Sequence, residues 1–96
     1  MAVYSLTSKA ATDLDGIYEY TILNFGLEQA RASLSGLHER FKPPAEHPTH
    51  GRKADDLAPG LRRFEYQSHI VFYLPGNKGV QNVRVLHQRM DVKKYL

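Results

Sequence analysis

The strongest constraint on this chain is a helical repeat of apolar residues that runs from Ala10 to Phe41 and is interrupted once. Ala10, Leu14, Ile17, Tyr18, Thr21 and Phe25 follow one another at spacings of four, three, one, three and four. On an α-helix they share one stripe, with Asp13, Asp15, Glu19 and Asn24 outside it. Leu27, Ala30, Leu34, Leu37 and Phe41 then repeat at three, four, three and four, a narrow seam suited to a partner helix. Between the two runs stands Asn24-Phe25-Gly26, where glycine can take the left-handed conformation that closes a helix. So short a link folds the two helices back on each other as an antiparallel hairpin. Thr7 and Ser8 offer side-chain oxygens to cap the first helix, and Pro43-Pro44 is expected to end the second. Gly16 and Gly36 each weaken a helix interior, and close backbone packing is the simplest reason to tolerate them.

Outside the hairpin the period changes from helical to two. Val3 to Leu6 is a short alternating stretch suited to a first strand. Leu61 to Tyr66 alternates, with Arg62, Phe64 and Tyr66 on one face and Leu61, Arg63 and Glu65 on the other. Ile70 to Leu74 is almost wholly apolar, as expected of a central strand covered on both faces. A turn cluster, Pro75 to Gly79, precedes a last alternating run from Val80 to His87, with Val83, Val85 and His87 opposite Asn82, Arg84 and Leu86. Pro43 to Gly60 reads as one long irregular loop. The order is β-α-α-β-β-β, an α+β fold in which a helical hairpin packs on one face of a small antiparallel sheet and leaves the other face to solvent or a partner.

Ninety-six residues make a single domain, 1–96, whose modest core a bound partner would stabilise. The chain has no cysteine, which excludes disulfides, Cys-ligated zinc and a thiol nucleophile. No apolar run is long enough to span a membrane, and Met1 to Tyr4 does not begin a signal peptide, so a cytoplasmic location is expected. A net charge of +3 permits an acidic partner without requiring one. His47 and His50 have H-x-x-H spacing, but only Glu46, Asp55 and Asp56 lie near as further ligands, so no metal is expected. Ser8 and Ser68 have no partners that would make a nucleophile, and no glycine-rich phosphate loop follows a strand. No cofactor is expected.

Several segments resemble the ParE toxins of the RelE/ParE superfamily. Ala10 to Tyr18 is similar to their first helix, with its A-x-x-D-L-x-x-I pattern. Phe25-Gly26 followed by Gln29-Ala30 resembles the turn between their helices. Gly60 to Phe64 and Ser68 to Tyr73 resemble their paired strands, and Val83 to Asp91 their closing strand and tail. The resemblance implies a RelE/ParE-like fold and a toxin of a type II toxin–antitoxin system. It implies inhibition of DNA gyrase without catalysis, neutralised by a ParD-like antitoxin in a hetero-oligomer, with no sequence-specific binding of nucleic acid. The RelE branch uses the same fold as a ribosome-dependent mRNA endoribonuclease, and fold alone does not choose between the two activities.

For the nuclease alternative, Arg62, Arg84, His87, Arg89 and Tyr95 are the residues able to activate the 2′-hydroxyl, protonate the leaving oxygen or stabilise the phosphorane. Against it, RelE-type nucleases usually place an arginine just before the apolar run of the central strand, where this chain has Ile70. Catalytic residues are therefore not assigned. Arg62, next to Phe64 on a packed strand, is read either as a cation reaching gyrase or DNA or, in preference, as buried or half-buried and paired with a helix carboxylate such as Asp13. For target contact, the candidates are His87, Arg89, Met90, Lys93, Tyr95 and Leu96, a mixture of cations with aromatic and apolar side chains that suits protein interfaces. The structural alternative is a tail that only covers the edge of the core. For the antitoxin, the candidates are Tyr20, Ile22 and Leu23, apolar residues off the core stripe of the first helix. An amphipathic antitoxin helix could pack there and add a strand at the sheet edge, unless the long loop covers Leu23.

Overall fold

The computed structural model describes residues 3–46, 51–76 and 79–95. In chain order the elements are β1 (Val3–Leu6), α1 (Ser8–Phe25), α2 (Leu27–Glu46), β2 (Arg52–Lys53), β3 (Arg62–Tyr66), β4 (His69–Gly76), β5 (Gly79–His87) and α3 (Val92–Tyr95). The strands form one sheet in the order β1-β5-β4-β3-β2. The α+β class expected from the sequence is the one observed. The sheet is mixed, because β1 lies parallel to β5 while the other pairs are antiparallel. A strand that leaves the sheet through a helical crossover can return beside a parallel neighbour, and the α1–α2 hairpin belongs to that crossover.

The entry into α1 is held by Thr7. Its hydroxyl oxygen accepts from the Ala10 amide at 3.0 Å and donates to the Val83 carbonyl at 2.7 Å. Its own amide donates to the Asn82 carbonyl at 3.0 Å. β1 covers the outer edge of β5 only as far as the Leu6–Asn82 pair. Beyond it, side chains from the start of α1 take over the work of a strand. Thr7 satisfies the Val83 carbonyl, and the Asp13 carboxylate accepts the Val85 amide at 3.0 Å. At the other end of α1, Gly26 takes φ 92 and returns its amide to the Ile22 carbonyl at 3.0 Å, closing the helix where the sequence indicated.

The sheet is buried on both sides. Toward the helices lie Leu14, Leu37, Phe41, Val71 and Val85, with Tyr4, Leu6, Ile17, Leu34, Phe64 and Tyr66 packed around them. On the far side are Ala54, Leu61, Ile70, Phe72 and Leu86, covered by Leu57 and Ala58 from one turn and by Met90 and Val92 from the tail. The far face was expected to be open. The chain's own short segments cover it instead, because β4 alternates two apolar sets and both must leave water.

Other expectations also change. The helix continues to Glu46, past Pro43-Pro44. Proline's fixed φ is itself close to the helical value, so these residues remove hydrogen bonds from the ladder without at once turning the chain out of the helix. The segment after it is not one irregular loop. Arg52 and Lys53 pair with β3, and the Ala54 amide donates to the Leu61 carbonyl at 2.8 Å. A two-residue strand of cations has no apolar alternation to show in sequence. On β5 the pairing passes from Phe72–Arg84 to Tyr73–Asn82, which leaves Val83 as an extra residue. One inserted residue reverses the alternation, so Val83 packs on the far side while Val85 faces the helices.

Phe25 and Leu27, placed by periodicity in the core, are 68% and 46% exposed. Residues 23–29 are all exposed, because the hairpin's closed end extends beyond the part that the sheet covers. Gly36 does pack closely, since a Cβ there would collide with the Tyr66 hydroxyl. Gly16 does not, since a Cβ there meets nothing within 4 Å.

The double role of Thr7 sets an expected cost. Thr7→Val keeps the branched shape but loses both hydroxyl bonds, and is expected to destabilise the fold by about 1–3 kcal/mol. Thr7→Ser keeps the oxygen and is expected to cost under about 1 kcal/mol, both measured by urea unfolding. Equal losses in the two variants would show that the hydroxyl does not hold this corner.

Candidate functional site

An open groove of about 890 Å³ runs between α1 and the ends of β4 and β5. Gly16, Ile17, Tyr20 and Phe25 line one wall, and His69, Val85, His87 and Met90 line the other. Tyr20 is 64% exposed and Leu23 84%, while Ile22 is half-buried. The three residues chosen for an antitoxin therefore divide. Tyr20 faces the groove, Leu23 stands in the open with no covering loop among the described residues, and Ile22 is partly packed. Phe25 and Leu27 enlarge this exposed apolar surface at the turn of the hairpin. Sequence reasoning missed them because helical spacing alone does not show where a helix outruns its sheet. Gly16 acquires a role here, since a side chain at that position would fill the groove rather than meet the core.

The tail closes the opposite wall. His69 and His87 sit side by side on β4 and β5, with ring centroids 5.4 Å apart and planes nearly perpendicular. Burial, followed by the charge of His87, lowers the pKa of His69 below its ordinary 6.5. The Arg89 amide donates to His87 Nδ1 at 3.1 Å, and the His87 amide donates to Met90 Sδ at 3.3 Å. Met90 thus both lines the groove and packs on the far-side cluster. Arg89 and Lys93 are exposed, Tyr95 is 41% exposed, and Leu96 lies outside the described residues. Met90 and Val92 anchor the tail while its cations face solvent, so the segment covers the core edge and leaves Arg89, Lys93 and Lys94 exposed.

Asp13 has a different partner from the one expected. Arg84 Nε and Nη2 donate to its two carboxylate oxygens, each at 2.8 Å, with both side chains largely covered. The hydrogen bond to Asp13 raises the pKa of Arg84, so the guanidinium stays charged. Arg62 instead donates to the Gly51 carbonyl at 2.8 Å, close to where the Gly51 amide donates to the Tyr73 hydroxyl at 2.9 Å. Sequence could not choose between the two arginines, because both fall on alternating strands and the bulge on β5 shifts one of them. Among the described residues no group of three or more His, Asp or Glu is placed to hold a metal ion, and His47 and His50 lie outside them.

Comparison with known proteins places this architecture. The family model described as the ParE toxin of the type II toxin–antitoxin system parDE matches residues 4–92. The chain belongs to the ParE toxin family. Toxin ParE1 of Caulobacter vibrioides is 38% identical over the whole of this chain and 99% of its own length. Toxin ParE1 of Mycobacterium tuberculosis is 37% identical over 97% of this chain and 96% of its own. Toxin ParE of Escherichia coli is 33% identical over 96% and 90%. A solved structure of the chromosomal ParDE system from P. aeruginosa superposes with a TM-score of 0.76 at 27% identity, covering 91% of this chain and 96% of that one. This ParE-family chain has, among its described residues, no helix long and apolar enough to cross a membrane.

The half-buried His69 makes a pH prediction. Its folded pKa is depressed, so unfolded chains take up a proton near pH 6.5 while the folded protein resists it. Stability is therefore full above pH 6.5 and falls as the pH drops below it, toward the lower folded value. Melting temperatures between pH 7.5 and 5.5 should fall more steeply in the wild type than in His69→Gln. Identical slopes would remove His69 as the cause.

Proposed function

We propose that this ParE-family toxin acts by binding and inhibiting DNA gyrase, without catalysing a reaction, and that a ParD-like antitoxin neutralises it in the cytoplasm. The observation that carries this reading is the distribution of its cations. Arg84, half-buried on β5, is tied through both carboxylate oxygens to Asp13 and is not available to a scissile phosphate. Arg89, Lys93 and Lys94 are exposed instead, on a tail that also presents Tyr95. Charged and aromatic side chains together on one segment suit recognition of a protein surface more than phosphoryl chemistry. The absence of an arginine at Ile70 points the same way.

The antitoxin reading rests on the apolar surface of the hairpin. Tyr20, Leu23, Phe25 and Leu27 are exposed beside a groove roomy enough for an amphipathic helix. The likeness to the ParDE system from P. aeruginosa supports an antitoxin as the occupant. In this reading Tyr20 and Leu23 meet the antitoxin, and Arg89, Lys93 and Tyr95 meet gyrase.

Purified gyrase on plasmid DNA, beside translating ribosomes supplied with message, separates the readings. Inhibited supercoiling with accumulating linear DNA is expected, and intact gyrase with cleaved message would replace this function with the endoribonuclease one. Lys93→Glu combined with Lys94→Glu should weaken gyrase inhibition by about tenfold or more with no change in melting temperature. Leu23→Asp should weaken the ParD-like antitoxin by a similar factor and leave gyrase inhibition unchanged.

A further inference from the structure

We propose that Arg84 is a positioning residue for the C-terminal tail, clamped by Asp13 of α1 and holding the end of α3 through the Tyr95 carbonyl. The inference deepens the reading of the tail as the target-contacting surface and rests on it. Two of the three guanidinium nitrogens are committed to Asp13. The third, Nη1, donates to the Tyr95 carbonyl at 2.8 Å, and the guanidinium carbon lies 5.7 Å from the centroid of the Tyr95 ring. One planar group therefore joins the first helix of the chain to its last.

The physical need for such a joint is clear. A four-residue helix has no stability of its own, because nucleation costs more than its few hydrogen bonds return. Val92 packs its first residue on the far-side cluster, whereas Lys93, Lys94 and Tyr95 are exposed. Among the described residues, the Arg84–Tyr95 bond is the one side-chain hydrogen bond that ties residues 92–95 to the body of the fold. It is also well placed, since the last carbonyls of a helix lack internal partners and that end favours a cation.

Arg84 reaches both sides because of where it sits. It lies beyond Asn82, where β1 no longer flanks β5, and next to the bulge at Val83. At that open edge α1 approaches on one side and the tail on the other. A stabilising ion pair alone would not require the third bond. Two charges largely removed from water gain little net stability from each other. What the arrangement adds is a fixed direction for the guanidinium, which leaves Nη1 aimed at the tail.

The test is a charge swap followed by amide hydrogen exchange. Arg84→Gln should speed exchange of the amides at 93–95 by about tenfold or more and weaken gyrase inhibition. Asp13→Arg combined with Arg84→Asp restores opposite charges, but an aspartate has no N–H for the Tyr95 carbonyl. The swap should therefore recover melting temperature only in part, since an arginine at position 13 cannot accept from the Val85 amide, while tail exchange stays fast and inhibition stays weak. Slow tail exchange and full inhibition restored by the swap, or unchanged tail exchange in Arg84→Gln, would overturn the proposal. Should Arg84→Gln fail to fold, Asp13→Asn, which keeps an acceptor for the Val85 amide, is measured instead. It should speed tail exchange in the same sense, and no change would equally overturn the proposal. A chain ending at Asp91 separates the two ideas. If it still inhibits gyrase fully, the tail is not the target surface, while the exchange data continue to judge the clamp.

Discussion

The carboxylate of Asp13 receives three N–H groups, two from Arg84 and one from the Val85 backbone, and much of the molecule is organised around that demand. β5 is the longest strand and needs partners along both edges. β4 satisfies one edge throughout, but β1 covers the other only to Asn82. The chain then turns into α1, and Thr7 and Asp13 supply from side chains what a longer strand would have supplied from its backbone. The packing of α1 against β5, the direction of the hairpin and the placing of the tail all depend on this substitution.

The surfaces proposed for function lie around the same junction. Asp13 lines the groove on the hairpin side, and its partner Arg84 reaches the tail on the other. The groove and the exposed side of the tail, the two surfaces proposed for partners, thus lie on either side of one ion pair. The groove is open because the hairpin is longer than the sheet beneath it. Gly16 belongs to this arrangement. Its missing side chain weakens the helix and leaves space that the core does not use. Charge divides in a similar way. From residue 51 onward the chain has nine Lys and Arg against four Asp and Glu, whereas the first fifty residues have four against six. The basic residues, which look scattered along the chain, are concentrated in the half that forms the sheet and tail.

Much of the fold was legible because it follows from local rules. The two stripes, the Gly26 stop, the Thr7 cap and the apolar run of β4 each reflect a periodicity or a backbone preference carried by neighbouring residues. The candidate sites were less legible. Leu23 and Tyr20 stood out as apolar residues off the stripe, and both are exposed. Phe25 and Leu27 were hidden by the same periodicity that revealed the helices, because a helical wheel has no information about where the facing layer ends.

The sequence alone determined the class of the chain, its hairpin and strands, and a resemblance to ParE toxins that full-length comparison bears out. It could do so because secondary structure and family motifs are written in residues close together along the chain. Folding in three dimensions decided that Arg84 rather than Arg62 meets Asp13, that β1 lies parallel to β5, and that the tail covers the far face of the sheet. Each of these joins residues dozens of positions apart. Each also depends on a bulge or a strand length that alters geometry without altering composition. A one-residue insertion in β5 is enough to exchange the faces on which its side chains lie, and no count of apolar residues contains that information.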